Sequence, residues 1–144
     1  MAEEKHWQED MPTHENIIFS CFGGLSNTGI TSALASIEAV KELGLEKAAI
    51  GCLPSVPLEV APVMGKTKAA KKVITVDGCP FECSRKTVEA AGFHVTKNIV
   101  LARDIGMKKA FHEDVGKGRG VMAYISEEET REAKELIKRA VLRD

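Results

Sequence analysis

Four residues of this 144-residue chain have the type and spacing to do chemistry: Cys21, Cys52, Cys79 and Cys83. A thiolate is a nucleophile, a redox group and a soft metal ligand. Four thiolates complete a tetrahedral zinc shell, with each Zn–S bond about 2.3 Å long. Four cysteine ligands equally suit an iron–sulfur cluster. A third chemistry is thiol-based redox or sulfur transfer, with Cys79 as nucleophile and Cys83 as resolving thiol. Cysteine is also a small apolar residue common in cores, so a single thiol carries little weight. Position in the fold decides between these readings.

The positions follow from the elements. Asn16 to Ser20 holds the apolar run Ile17-Ile18-Phe19, short enough for a buried strand, and Cys21 ends it. A glycine-bearing loop follows, then a helix with the stripe Ile30, Ala33, Leu34, Ile37 and Val40. Asn27 or Thr28 is placed to cap its start, and Gly44 to end it. Lys47 to Gly51 is a second short strand, ending at Cys52. Pro54, Pro57 and Pro62 break the chain into a loop and a short helix reaching about Ala70. Lys72 to Val76 is the clearest strand, rich in β-branched residues. Asp77-Gly78-Cys79-Pro80 follows it. Pro80 suits a first helical position, so a helix is expected from there to Ala91, stopped by Gly92. Phe93 to Ala102 holds a fourth strand, centred on Ile99-Val100-Leu101. Val121 to Ile125 is a candidate fifth. Ser126 and Glu129 form a capping box for a last helix that buries Ala133, Leu136, Ile137, Ala140 and Val141. Glu127 with Arg131 and Glu135 with Arg139 are favourable pairs on its outer face.

This order implies a single α/β domain: a mostly parallel sheet of four to five strands with helices on both faces. Residues 1–15 lack periodicity and are expected to form a flexible tail, with residues 16–144 as the domain. Ligands of such sheets bind at the carboxyl ends of the strands. Three of the four cysteines follow closely on three strands, and Cys83 lies four residues after Cys79. If the strands are neighbours, all four sulfurs meet at one sheet edge. With Cys79 and Cys83 in one helical turn they share a face, and a helix start favours thiolate over thiol.

Composition narrows the function classes. Apolar residues make up 44% and charged residues 28%, with a formal net charge of −1. That balance excludes a nucleic-acid binder acting through bulk positive charge. No apolar run approaches the ~20 residues needed to span a bilayer. The first ten residues are polar and contain no signal-peptide core, so the cytoplasm is the expected compartment, where thiols stay reduced or bind metal.

The string Val76-Asp77-Gly78-Cys79-Pro80-Phe81-Glu82-Cys83 resembles the DGC-domain family, described as zinc-binding proteins and named for its Asp-Gly-Cys triplet. Cys21 to Gly29 is similar to that family's opening loop, and Cys52 to its middle cysteine. Asp104 to Lys109 resembles its closing segment. The likeness runs from about Ile17 to Lys109. It implies a cysteine zinc site and no assigned reaction. It departs at Leu25, where many members carry a further cysteine. The four that remain suffice for one site. The resemblance leaves open whether the partner is a protein, a small molecule or a second copy of the chain.

Other motifs point to structure. Gly65-Lys66-Thr67 looks like the end of a phosphate loop, but Val60 stands where glycine is needed. A cysteine phosphatase needs an arginine to close the loop after Cys21, and residues 21–32 contain none. Gly116, Gly118 and Gly120 precede a strand instead of following one, which excludes a dinucleotide fingerprint. His112, Glu113 and Asp114 fit an exposed polar loop better than a metal site. Asp77 is placed to cap the helix after it, a role favoured over orienting a ligand.

Overall fold

A computed structural model describes residues 14–110 and 121–143. Its centre is a four-stranded parallel sheet in the order β2-β1-β3-β4, with β1 Asn16–Ser20, β2 Ala48–Ile50, β3 Lys72–Asp77 and β4 Lys97–Val100. The register pairs Ile18 with Ile50, Ile18 with Ile74, and Val76 with Ile99. Helices α1 (Asn27–Leu43), α2 (Ala61–Ala69), α3 (Cys83–Ala90), the short α4 (Leu101–Asp104) and α5 (Glu127–Leu142) complete the architecture. Among the described residues there are also two 3-10 turns, Leu53–Ser55 and Val121–Tyr124.

Strand alternation divides the core between the two faces of the sheet. Ile18, Ile74, Val76 and Ile99 pack with Ala35 and Ala39 of α1 and Ala133, Ile137 and Val141 of α5. Ile17, Phe19 and Val73 pack on the other face with Val56 and with Val88 of α3. Both faces are therefore covered, as a parallel sheet requires. No helix among the described residues is long and apolar enough to cross a membrane.

Several expectations shift. Residues 121–124 form a 3-10 turn, so the described sheet has four strands and no fifth at that position. Helix α3 starts at Cys83, not at Pro80, because the chain first makes a tight turn and Glu82 adopts φ +52. Cys79 therefore precedes the helix and shares no helix face with Cys83. Strand β4 ends at Val100, and Leu101 opens α4. The expected apolar stripe of α1 is only partly buried: Ile37 remains 40% exposed, while Thr28, Thr31, Ser32, Ala35, Ser36 and Ala39 are buried. Small side chains let this helix approach the sheet closely. Two of the hydroxyls that go in with them bond to backbone, Ser32 to the carbonyls of Gly29 and Cys21 and Ser36 to that of Ser32. The N-cap of α1 is Ser26, whose Oγ accepts from Gly29 N at 3.2 Å.

On α5 the capping serine forms as expected, Ser126 Oγ accepting from Glu129 N at 3.2 Å. The anticipated Glu127–Arg131 and Glu135–Arg139 pairs do not form. Instead Lys134 and Lys138 reach across to Glu42 of α1 at 3.0 and 2.9 Å. Gly65, Lys66 and Thr67 lie inside α2, where Thr67 Oγ1 donates to the Val63 carbonyl, so they form no phosphate loop. Of the expected tail, His14 and Glu15 are described and docked: Glu15 N donates to Glu46 O, and its carboxylate bridges Lys47 and Lys71. Residues 1–13, and the glycines and acids expected at 112–120, lie outside the described residues.

Candidate functional site

Strand β1 sits between β2 and β3, and all strands run parallel. Their carboxyl ends therefore share one edge, with neighbours about 4.8 Å apart. Cys21 follows β1 directly, while Cys52 and Cys79 come two residues after β2 and β3. All four cysteines are free thiols. Cys21 and Cys79 are half-buried, Cys52 and Cys83 exposed.

Cys21 is held at three atoms. Its N–H donates to the Val76 carbonyl at 2.8 Å, and its own carbonyl accepts from Ser32 Oγ at 3.0 Å. Its sulfur accepts from Gly23 N at 3.4 Å. The backbone bond to Val76 ties the start of the loop after β1 to β3. Burial pushes the Cys21 thiol above its ordinary value; the charges of Asp77 and Cys83 push the same way, and the backbone N–H groups of Gly23 and Gly78 oppose them.

Glycine makes that junction possible. A Cβ on Gly78 would lie 2.5 Å from the Thr28 carbonyl, and one on Gly29 would lie 2.2 Å from the Gly23 oxygen. The two loops and the first turn of α1 interlock through backbone, with no room for side chains. This explains the glycine of the Asp-Gly-Cys triplet.

Asp77 aims the other end of the loop. Its side chain is 1% exposed, with Oδ1 accepting from Ser84 N at 2.8 Å and Oδ2 from Arg85 N at 3.2 Å. The expected capping role is thus its observed one. Desolvation raises the carboxyl above the usual carboxylate range, and the two N–H bonds counter it. Because the cap reaches back from β3, it brings the start of α3, and with it Cys83, over the strand end. Glu82 locks the turn from outside: it pairs with Arg85 at 2.8 Å and accepts from Asn98, which in turn accepts from Thr75 Oγ1 at 2.8 Å. These bonds hold Glu82 in the left-handed conformation that non-glycine residues rarely adopt.

Cys52 comes to the same edge by a different route. Gly51 packs under Phe19, where a Cβ would lie 2.4 Å from the ring. Cys52 then precedes the 3-10 turn, on the far side of β1 from Cys79. Among the described residues, no three His, Cys, Asp or Glu side chains are drawn together as a ready-made metal-holding group.

Sequence reasoning missed two participants. Asn27 does not cap α1. Its side chain bonds to Lys108 and Ala110, far along the chain. Lys109, between them, places Nζ 3.6 Å from the Cys79 sulfur. The likeness over Asp104 to Lys109 drew attention to the segment, but no local pattern marks this contact. The model of one family, the DGC domain, matches residues 17–136. No curated protein and no solved structure matches the chain.

Proposed function

This chain belongs to the DGC-domain family, and from that premise we propose that it binds zinc through Cys21, Cys52, Cys79 and Cys83. The observation that carries the reading is the placement of Cys21, Cys52 and Cys79 just after the carboxyl ends of three neighbouring parallel strands, with Cys83 at the start of the helix that follows Cys79. The donor chemistry suits the ion: free thiols at one sheet edge are soft ligands, and zinc imposes no electronic geometry of its own. Cys21, Cys79 and Cys83 form the nucleus of the set, and Cys52 closes it from the β2 side. The backbone N–H bond that the Cys21 sulfur receives from Gly23 is outer support of the kind that orients a metal ligand.

The residues divide the work. Gly78 and Gly29 allow the loops to meet, and Asp77 and Glu82 set the direction of the Cys79–Cys83 turn. Bound by four sulfurs, zinc is structural or regulatory; bound by three, it keeps an open position and acts as a Lewis acid. The expected setting is the cytoplasm, where thiols remain available as ligands.

Elemental analysis of anaerobically purified protein tests the proposal. Close to one zinc per chain is expected, with loss on Cys79→Ser or Cys83→Ser. Metal-free protein from zinc-replete cells overturns it. Brown protein carrying iron and sulfide replaces zinc by a cluster. Rapid alkylation of Cys79 in zinc-loaded protein, with the metal retained, removes Cys79 from the ligand set and favours thiol chemistry through Cys79 and Cys83.

A further inference from the structure

The chain after α4 is clamped to the start of α1. Asn27 Nδ2 donates to the Lys108 carbonyl at 2.9 Å, and Asn27 Oδ1 accepts from Ala110 N at 2.7 Å. The Asn27 backbone N–H also donates to the Ala110 carbonyl at 3.3 Å. Holding residues 108 and 110 fixes the one between them. The Lys109 side chain crosses to the loop after β3, where Nζ lies 3.6 Å from Cys79 Sγ and 5.3 Å from the centroid of the Phe81 ring. Phe81 is 67% exposed, so its ring is a surface platform that steers the ammonium towards the sulfur.

We propose that Lys109 is an outer member of the sulfur centre, a positioning residue that donates to Cys79 and offsets the negative charge of the metal-bound thiolates. The inference rests on the zinc reading. Three or four thiolates outnumber the two charges of zinc, so the loaded centre is anionic in either case. The Asp77 carboxylate, which raises the Cys21 thiol, adds to that charge, although its oxygens are occupied by backbone N–H groups. Among the described residues, Lys109 places its ammonium against the Cys79 sulfur. Its ammonium lowers the net charge, and its N–H holds the Cys79 sulfur in place. Outer-shell partners of this kind typically govern about 10–100-fold in metal affinity.

Zinc affinity of the full chain, prepared anaerobically and measured by competition with a chromogenic chelator, tests this. Lys109→Met is expected to bind zinc about 10–100-fold more weakly, and Lys109→Arg to recover most of the loss. Lys108 is exposed and carries the same charge, so Lys108→Met should leave the affinity unchanged. Cobalt-loaded samples of all four proteins should show equal thiolate absorption per metal, because Lys109 is not a ligand. Lys109→Gln repeats the reading should the methionine variant fold poorly. Equal affinities of the unaltered chain and both neutral variants overturn this inference and leave the zinc reading standing. Equal weakening in Lys108→Met reduces the effect to bulk charge and also overturns it. An unaltered chain that binds no zinc overturns the zinc reading, and this inference with it.

Discussion

Cys21 and Cys79 differ in their surroundings although both end at the same sheet edge. Cys21 is desolvated and faces Asp77, so burial and then negative charge raise its thiol. A raised thiol carries less thiolate at neutral pH and alkylates more slowly. In metal-free protein, peptide mapping after brief alkylation should therefore find Cys52 and Cys83 labelled before Cys21. Asp77→Asn removes one of the charges that raise the Cys21 thiol and should speed its labelling. If Cys21 reacts as fast as exposed Cys52, the described burial of that sulfur is wrong. Gly78 is the other residue whose identity is dictated from outside. Its missing Cβ is the space occupied by the Thr28 backbone. Gly78→Ala is expected to destabilise the fold by about 1–3 kcal/mol, since backbone on both sides must shift. Urea denaturation measures it.

The turn between β3 and α3 is the element on which the site depends. It is held by Asp77 from inside and by Glu82 from outside. Removing the inner cap leaves two backbone N–H groups at the start of α3 unpaired. Asp77→Ala should cost about 2 kcal/mol, at the upper end for an N-cap because the carboxylate is buried. Ser126→Ala, a one-bond cap at the edge of the domain, should cost nearer to 1 kcal/mol. Equal losses in urea midpoint at constant slope would mean that Asp77 contributes no more than an ordinary cap. The start of α3 is also where sequence reasoning went astray. Pro80 fits a first helical position, but the helix cannot begin until the chain has turned back far enough for Asp77 to reach Ser84 and Arg85. That distance is a property of the loop and of the strand end together.

For the whole molecule, the core divides between two faces of one sheet, and each face is closed by helices. A domain of this length buries enough surface to fold without metal, unlike a zinc finger. Chelation of the zinc-loaded protein should lower the melting temperature yet leave the far-ultraviolet helical signal largely intact. Its collapse would show that the sheet and helices depend on the metal. The acid limb of stability has a separate source. Glu15, just before β1, is held between Lys47 and Lys71, which lower its carboxyl to about 2. A lowered carboxyl favours the folded state at any pH above its ordinary unfolded value, near 4.3, and that contribution fades as pH falls through about 2. Between those limits Glu15→Gln should show a flatter fall of unfolding free energy with pH than the unaltered chain. Identical slopes would assign the acid limb to other carboxylates.

The α/β class, the strand positions and the grouping of cysteines at strand ends were legible without coordinates. Each depends on local periodicity and on where an apolar run stops. Ile17-Ile18-Phe19 and Val73-Ile74-Thr75-Val76 read as buried strands because no other element suits so short a β-branched or apolar run. The capping role of Asp77 and of Ser126 was legible for the same reason, since a cap and its helix are neighbours in sequence. Three features were decided by tertiary structure. The strand order set β1 between β2 and β3, which pairing of distant segments alone determines. The close approach of Gly78 to Thr28 selected the small, hydroxyl-bearing face of α1 for burial over its larger apolar stripe. Lys109 reached Cys79 through a clamp whose halves are 81 and 83 residues apart. No periodicity records such a contact, because its geometry exists only once the sheet has brought these distant segments to the same edge.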